Sequence, residues 1–206
     1  MDAVTTHPQA MSSSGTVERD ADLAAELASD LDAAFERLVL IHQDRLYTIA
    51  IRLLRDPRDA EEVAQDALVR AYRAIASYDP DRVRALALRG WLATIVVNLA
   101  RNRSRRRPAP TSALPEDRAE PDAASLPHEA SVVAASHRAW AELLAGLPYR
   151  YRLPVVLRHV DGLSFAEMSE VLKRPEGTLK AQVHRGLALL RTAYVASSIR
   201  AEELSA

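Results

Sequence analysis

Residues 163–190 read LSFAEMSEVLKRPEGTLKAQVHRGLALL, and this stretch decides the fold. Ser164, followed three residues later by Glu167, forms a capping box, which predicts the start of a helix. That helix is expected to bury three apolar side chains, Met168, Val171 and Leu172. Because Pro175 cannot continue a helix, it ends there, and a second helix is predicted to begin within residues 176–178. The pattern is that of two helices joined by a tight turn.

The predicted second helix, which runs to about Tyr194, has two unlike sides. One side carries a narrow apolar stripe, formed by Leu179, Val183, Leu187 and Leu190. The other side is small and polar near its start, with Thr178, Lys180, Ala181, Gln182, His184 and Arg185. Small residues allow a helix to approach a DNA major groove closely, and Arg, Lys and Gln contact base edges or phosphates there. The same pattern also fits a plain pair of packed helices with a solvated face.

Upstream, two short helices are predicted within residues 143–157 and three helices in the N-terminal half, and no segment has the pattern of a strand. Apolar residues recur at three- and four-residue steps over residues 31–53, which predicts one long amphipathic helix. Asp56 as N-cap and Pro57 at the first helical position begin a second helix, over about 57–75. A third helix is expected over about 83–107. The predicted fold class is therefore all-α.

Composition divides the chain into two small helical domains joined by a flexible linker. Residues 1–28, rich in Ser and acidic side chains, are predicted to form a disordered leader. Residues 108–128 hold five of the 11 prolines among Ala, Ser and acids, which predicts an extended linker. The two domains then span residues 29–107 and 129–200, the second with the helix-turn-helix pattern.

The overall charge and the absence of cysteine exclude some classes of function. The 206 residues carry a net charge of -1, but residues 101–107 hold five arginines in seven positions, so the near-neutral total does not argue against a polyanionic partner. With no cysteine, the chain has no disulfide, no thiolate zinc site and no cysteine nucleophile. We see no signal peptide and no apolar run long enough for membrane insertion, so a cytoplasmic protein is expected.

The C-terminal motifs resemble a known family. Four motifs, Leu147-Pro148, RLPVVLR (152–158), DGLS (161–164) and PEGTLK (175–180), resemble domain four of extracytoplasmic-function (ECF) sigma factors of bacterial RNA polymerase. The resemblance implies contact with the −35 promoter element and with the flap of the polymerase β subunit. It assigns the −35 contacts to Arg174, Thr178, Lys180, Gln182, His184 and Arg185. Ala181 and Met168-Ser169 depart from the usual family residues.

The second upstream helix resembles domain two of the same family over residues 59–71, DAEEVAQDALVRA. In that family this helix grips the coiled coil of the polymerase β′ clamp. The resemblance assigns the docking to Glu62, Gln65 and Asp66. Taken without the resemblance, an acidic and amide face of this kind is usually only solvated.

The third helix resembles the reader of the −10 element, through WLATIVVN (91–98) and the arginine-rich end that follows. Promoter opening requires that a flipped base be held and that the phosphates of a single strand be neutralised. The predicted set is Thr94, Asn98, Arg101 and Arg105, with Trp91 or Tyr78 stacking on a base. Trp91 also fits a core position, and the arginines also fit a plain helix end. The resemblance places the base pocket in the 77–89 loop, although Leu88 stands where relatives have an aromatic residue.

Together these features predict a sigma factor that supports transcription initiation in a stress regulon. Its predicted partners are core RNA polymerase, promoter DNA and, as is frequent in this family, an anti-sigma protein. No cofactor or metal is expected. An enzyme is the first alternative, but the six histidines form no close ligand pair and no phosphate-binding loop is present. A polymerase-independent regulator of duplex DNA and a protein-interaction module are the others, and neither requires the arginine-rich third helix.

Overall fold

A computed structural model describes residues 13–106 and 139–205, with side chains placed over 19–106 and 139–197. The N-terminal group of helices is α1 (Ser13–Ser29), α2 (Leu31–Leu54), α3 (Pro57–Ala76), α4 (Pro80–Arg84) and α5 (Leu88–Arg106). The C-terminal group is α6 (139–146), α7 (Tyr149–Val155), a π-helical turn (Val156–Val160), α8 (Phe165–Leu172) and α9 (Glu176–Ser205). These described residues contain no strand, and the prediction of two all-α domains is confirmed.

Local capping signals set several helix starts. The Asp56 carboxylate accepts hydrogen bonds from the backbone N–H groups of Arg58 and Asp59, and Pro57 occupies the first position of α3, as predicted. Ser164 and Glu167 form the predicted reciprocal capping box at the start of α8. Such caps satisfy N–H groups that have no partner inside the helix. The starts of α3 and α8 are therefore fixed by nearby residues.

The core of the N-terminal group lies between α2, α3 and α5, which pack against one another. The long helix α2 buries Leu38, Leu46 and Ile49 completely. The facing side of α3 is built largely from alanines, including Ala60 and Ala67, which allows the helices to approach closely. The result is a compact support for the outer faces of α3 and α5.

The predicted disordered leader is wrong for residues 13–28, which form most of α1. Leu23, Ala24 and Leu27 are buried, and the helix packs against α2 and α4. The apolar spacing of these three residues is helical, but Ser and acidic neighbours dominate the composition of the segment. Residues 1–12 and the predicted linker, 108–128, lie outside the described residues.

The predicted third helix is divided in two. Asp79 caps α4, which begins at Pro80 and ends at Arg84, and α5 starts only at Leu88. The 77–89 segment is therefore partly helical and not a continuous loop. The buried side of α5 includes Leu88, Leu92 and Leu99, whereas Trp91 and Ile95 are only half-buried.

Two expectations for α9 also need correction. The helix continues past Tyr194 to Ser205. Leu179, Val183 and Leu190 are buried as predicted, but Leu187 is 37% exposed. At 100° per residue Leu187 falls at the edge of the apolar stripe, where it borders a surface groove and not the core.

The two groups of helices pack together through one apolar cluster. Leu46, Ile49 and Leu88 of the N-terminal group belong to the same cluster as Leu157 and Met168 of the C-terminal group. The start of α5 lies against α8, where a Cβ added to Gly90 would stand 3.8 Å from a Val171 methyl carbon. Among the described residues no helix is both long and apolar enough to cross a membrane.

Candidate nucleic-acid interface

The first turns of α9 present the predicted recognition residues to solvent. Thr178, Lys180, Ala181, His184 and Arg185 are all exposed. Arg174 and Gln182 are half-buried and face each other, with 3.3 Å between the guanidinium Nη1 and the amide Oε1. Lys180 lies 3.2 Å from the Glu176 carboxylate. The exposed face of α9 thus has small and basic side chains at its centre and hydrogen-bonding side chains at its edge.

The support beneath this face is closely packed. Met168 and Leu179 are fully buried behind it, and Lys173 takes the left-handed conformation (φ 53°) that ends α8. Further along α9, Gly186 packs so closely on α7 that an added Cβ would lie 2.6 Å from a Val155 methyl carbon. A short helix, a tight turn and a second helix with an outward polar start form the arrangement that enters a DNA major groove.

The four polar residues of α5 predicted to contact the −10 element form a stripe along the helix, and they lie in two different environments. Asn98 and Arg105 are exposed, whereas Thr94 and Arg101 are half-buried. The Thr94 hydroxyl donates a hydrogen bond to the backbone carbonyl of Gly90, 3.0 Å away. Arg101 lies beside the phenol of Tyr149: burial raises the pKa of Tyr149, and the Arg101 charge opposes that rise. In this arrangement Asn98 and Arg105 are the members of the stripe open to a ligand.

The two aromatic candidates contact each other at the edge of the core. The rings of Tyr78 and Trp91 meet edge to face, with 6.4 Å between their centroids, and both side chains are half-buried. The guanidinium of Arg82 lies 3.7 Å from the centroid of the Tyr78 ring. The Arg82 guanidinium therefore covers one face of the Tyr78 ring. Both interpretations of Trp91, core and base contact, are compatible with this position.

The predicted docking residues lie on the outer side of α3. Gln65 and Asp66 are exposed, and the Gln65 amide is 3.4 Å from the Glu61 carboxylate. Glu62 is half-buried because its carboxylate is bound by Arg103, 2.6 Å away on α5. The structure therefore places Gln65 and Asp66 exposed at the surface, with Glu62 held at the rim of the face.

Sequence reasoning missed a buried charged cluster where α1, α2, α5 and the C-terminal group meet. Arg45 binds both carboxylate oxygens of Asp161, at 2.5 and 2.8 Å, and donates to the carbonyl of Arg89 at 2.9 Å. Arg89 in turn donates to the carbonyl of Asp161. Nearby, burial raises the pKa of Asp20. No local signal could reveal this cluster, because its members are far apart along the chain.

An apolar surface lies on the C-terminal group, away from the polar start of α9. Trp140 and Tyr194 are exposed and stacked, with ring centroids 6.5 Å apart. Beside them runs a groove of about 530 Å³, lined chiefly by Leu143, Leu147, Pro148 and Leu189. Exposed apolar area of this kind is typical of an interaction surface. The described residues hold no group of three or more His, Asp or Glu that could bind a metal ion.

Comparison with known proteins gives two family matches in the same order as the two groups of helices. The family described as Sigma-70 region 2 matches residues 38–108, and Sigma-70, region 4 matches residues 137–190. The ECF RNA polymerase sigma factor SigW of Bacillus subtilis (strain 168) is 33% identical, over 77% of this chain and 87% of its own length.

Two solved structures have a similar fold. CnrH in complex with the cytosolic domain of CnrY matches with a TM-score of 0.64 and 26% identity, over 86% of this chain and 97% of that chain. The sigma factor RpoE of Bartonella quintana, in complex with the anti-sigma factor NepR, matches with a TM-score of 0.57 and 20% identity, over 77% of this chain and 94% of that chain. The agreement in family, order and fold shows that this chain belongs to the ECF sigma factors of the sigma-70 family.

Proposed function

We propose that this chain binds core RNA polymerase in the cytoplasm, recognises −35 and −10 promoter elements, and supports promoter opening in a stress regulon. The observation that carries the proposal is the exposed, small and basic start of α9, which a capped α8 and a buried stripe hold in place. A protein that only packed these helices together would not need that combination on one outward face.

The −35 element would be read as duplex DNA by α9. Arg185 and Lys180 are exposed donors that suit phosphates or guanine edges, and Ala181 leaves room for the groove wall. The Arg174–Gln182 pair would orient the Gln182 amide toward a base. This face supports placement of the polymerase at a promoter.

The −10 element would be captured as a single strand by α5. The exposed Asn98 amide has donors and acceptors for a flipped base, and Arg105 would neutralise backbone phosphate. Tyr78 and Trp91 offer ring surface nearby. The free energy for melting would come from binding the open strand, so no enzymatic activity is part of the proposal.

Two protein contacts complete the proposed holoenzyme. The outer side of α3, with Glu62, Gln65 and Asp66, would dock on the β′ clamp coiled coil. The apolar surface around Trp140 and Tyr194 would receive the β flap, because it lies apart from the DNA-facing start of α9. An anti-sigma protein is a further proposed partner, since both similar solved structures are complexes, one of them with an anti-sigma factor.

The test is run-off transcription with purified core polymerase on a pool of genomic promoters, with and without this chain. Transcripts that start only when the chain is present, below two shared upstream elements, are the expected result. Absence of core binding together with sequence-specific binding to duplex DNA would contradict the proposal and favour a polymerase-independent regulator.

Single substitutions separate DNA reading from docking. Asn98→Ala and Arg185→Ala should each lower transcription about tenfold, the effect of losing one good base or strand contact. Core affinity should stay at the wild-type value, because neither side chain lies on α3 or on the apolar surface. Arg191→Ala is the matched control for Arg185, since it removes an exposed arginine from another side of α9. An equal loss of core binding in Asn98→Ala or Arg185→Ala would refute the assignment.

A further inference from the structure

Arg103 differs from its neighbours in the arginine-rich end of α5 because it points toward α3. Its guanidinium binds the Asp59 carboxylate through two nitrogens, at 2.9 and 2.6 Å, and the Glu62 carboxylate at 2.6 Å. Arg105 and Arg106, by contrast, are exposed at the end of the helix. One planar guanidinium therefore bridges two carboxylates that lie one turn apart on the neighbouring helix.

The two carboxylates are in different environments. The Asp59 side chain is 13% exposed, and its carboxylate is paired with the guanidinium of Arg103, whose side chain is 39% exposed. The Glu62 side chain is 45% exposed and stands at the rim of the outer side of α3, beside Gln65 and Asp66. Arg103 is thus anchored at its inner end by Asp59 and holds Glu62 at its outer end.

A held Glu62 has a direct consequence for binding. A free glutamate loses rotamer freedom when a partner immobilises it, and this loss weakens the complex. Glu62 loses little further freedom on binding, because Arg103 already fixes one of its oxygens and Arg58 lies 3.5 Å from the other. The outward lone pairs of the carboxylate remain available to a basic partner.

We infer that Arg103 is a positioning residue for polymerase docking: its bridge from Asp59 to Glu62 presets the carboxylate that α3 offers to the clamp. The inference rests on the proposed docking of α3 and extends it to a residue of the promoter-reading helix. It also divides the arginine cluster by task, because Arg105 faces outward while Arg103 joins α5 to α3.

The test is the binding kinetics of the full chain with core RNA polymerase. Arg103→Ala should raise the dissociation rate about fivefold, within the range for releasing one rotamer-rich side chain. The association rate should not fall, because removing a guanidinium leaves the face more acidic and its attraction to a basic clamp stronger. If the variant only contained less folded protein, the fraction of molecules able to bind would fall. The dissociation rate of the folded molecules would then stay at the wild-type value.

Arg106→Ala is the matched control, since it removes the same charge from the same end of α5. It should leave the dissociation rate within about twofold of wild type. A twofold change is smaller than the effect expected from releasing one immobilised side chain. A double-mutant cycle then links Arg103 to its target. Once Glu62→Gln has removed the carboxylate, adding Arg103→Ala should cause no further increase in the dissociation rate.

Two companion variants keep the outcomes distinct. If Gln65→Ala and Asp66→Ala leave core binding unchanged, the docking face itself is refuted, and the inference with it. If they weaken binding but Arg103→Ala does not, or if its effect adds fully to that of Glu62→Gln, only the positioning role is refuted. Should Arg103→Ala fail to fold, Arg103→Gln replaces it, because a neutral amide keeps part of the side chain but loses the charge-assisted bonds to both carboxylates. A wild-type dissociation rate in Arg103→Gln would overturn the inference.

Discussion

At His42, burial and two neighbouring arginines disfavour the charged imidazolium. The ring is enclosed between α1 and the rest of the N-terminal group, with Asp20 of α1 3.6 Å away and Arg45 and Arg89 nearby. Burial is the largest cause, and together they lower the pKa of His42 from 6.5 to about 4. The folded chain therefore keeps a neutral histidine at the junction of α1 with the core.

This burial predicts a loss of stability in mild acid. An unfolded chain binds a proton at His42 below about pH 6.5, whereas the folded chain binds it only near pH 4, so unfolding takes up a proton between these values. The free energy of unfolding should fall by up to about 3 kcal/mol as the pH is lowered through this range. Thermal unfolding from pH 7 to pH 4 measures the change.

His42→Leu provides the comparison for the acid effect. It removes the titrating group and keeps an apolar side chain in the enclosed site, so its unfolding should depend less on pH between 6.5 and 4. The raised pKa of Asp20 acts in the opposite direction, because protonation of a buried carboxyl favours the folded state. Parallel pH profiles for the wild type and His42→Leu would show that His42 is not the responsible group.

At the scale of elements, the joint between α7 and α9 depends on a glycine. Helix propensity alone favours Ala over Gly inside α9 by about 1 kcal/mol. At Gly186, however, an added Cβ would lie 2.6 Å from a Val155 methyl carbon and 3.4 Å from the Tyr151 Cβ. Val155 is buried and branched, so it cannot move aside.

The expected result is that Gly186→Ala destabilises the C-terminal group by about 1–3 kcal/mol, the usual effect of overpacking. Gly177→Ala is the matched control in the same helix, because nothing lies within 4 Å of a Cβ added there. It should be neutral or slightly stabilising. Chemical unfolding of both variants measures the difference, and a stable Gly186→Ala would mean that α7 and α9 are further apart than the structure has them.

Elements defined by local signals were predictable, and those defined by distant contacts were not. Asp56 and Ser164 cap their helices through residues within three positions, so the sequence pattern contains the whole cause. The docking of α1 depends on α2 and α4, and its acidic composition hides the three apolar positions that make the contact. The outward face of α9 follows from its helical period, but the contact of Arg103 with Asp59 spans 44 residues and has no local pattern.

For the whole molecule, a buried ion pair joins the two groups of helices. Arg45 of α2 and Asp161, which follows the π-helical turn, are 116 residues apart in sequence, and the Asp161 side chain is fully buried. Arg45 is satisfied on one side by Asp161 and on the other by the carbonyl of Arg89. The apolar cluster shared by the two groups includes Leu46 and Ile49, which lie on the same helix as Arg45. The relative placement of the proposed promoter-reading faces therefore depends on this ion pair together with the shared apolar cluster.

Asp161→Ala should loosen this interface, because it leaves the Arg45 guanidinium largely buried without its carboxylate. Breaking a buried pair from one side costs about 3 kcal/mol, whereas loss of an exposed pair costs less than about 1 kcal/mol. We expect a larger radius of gyration in small-angle X-ray scattering and a lower unfolding temperature, since the two groups would no longer unfold as one unit. Asp81→Ala is the control, because it breaks an ion pair with Arg84 in which the Asp81 side chain is 94% exposed. Scattering and unfolding curves for Asp161→Ala that match those of Asp81→Ala would show that the ion pair does not hold the two groups together in solution.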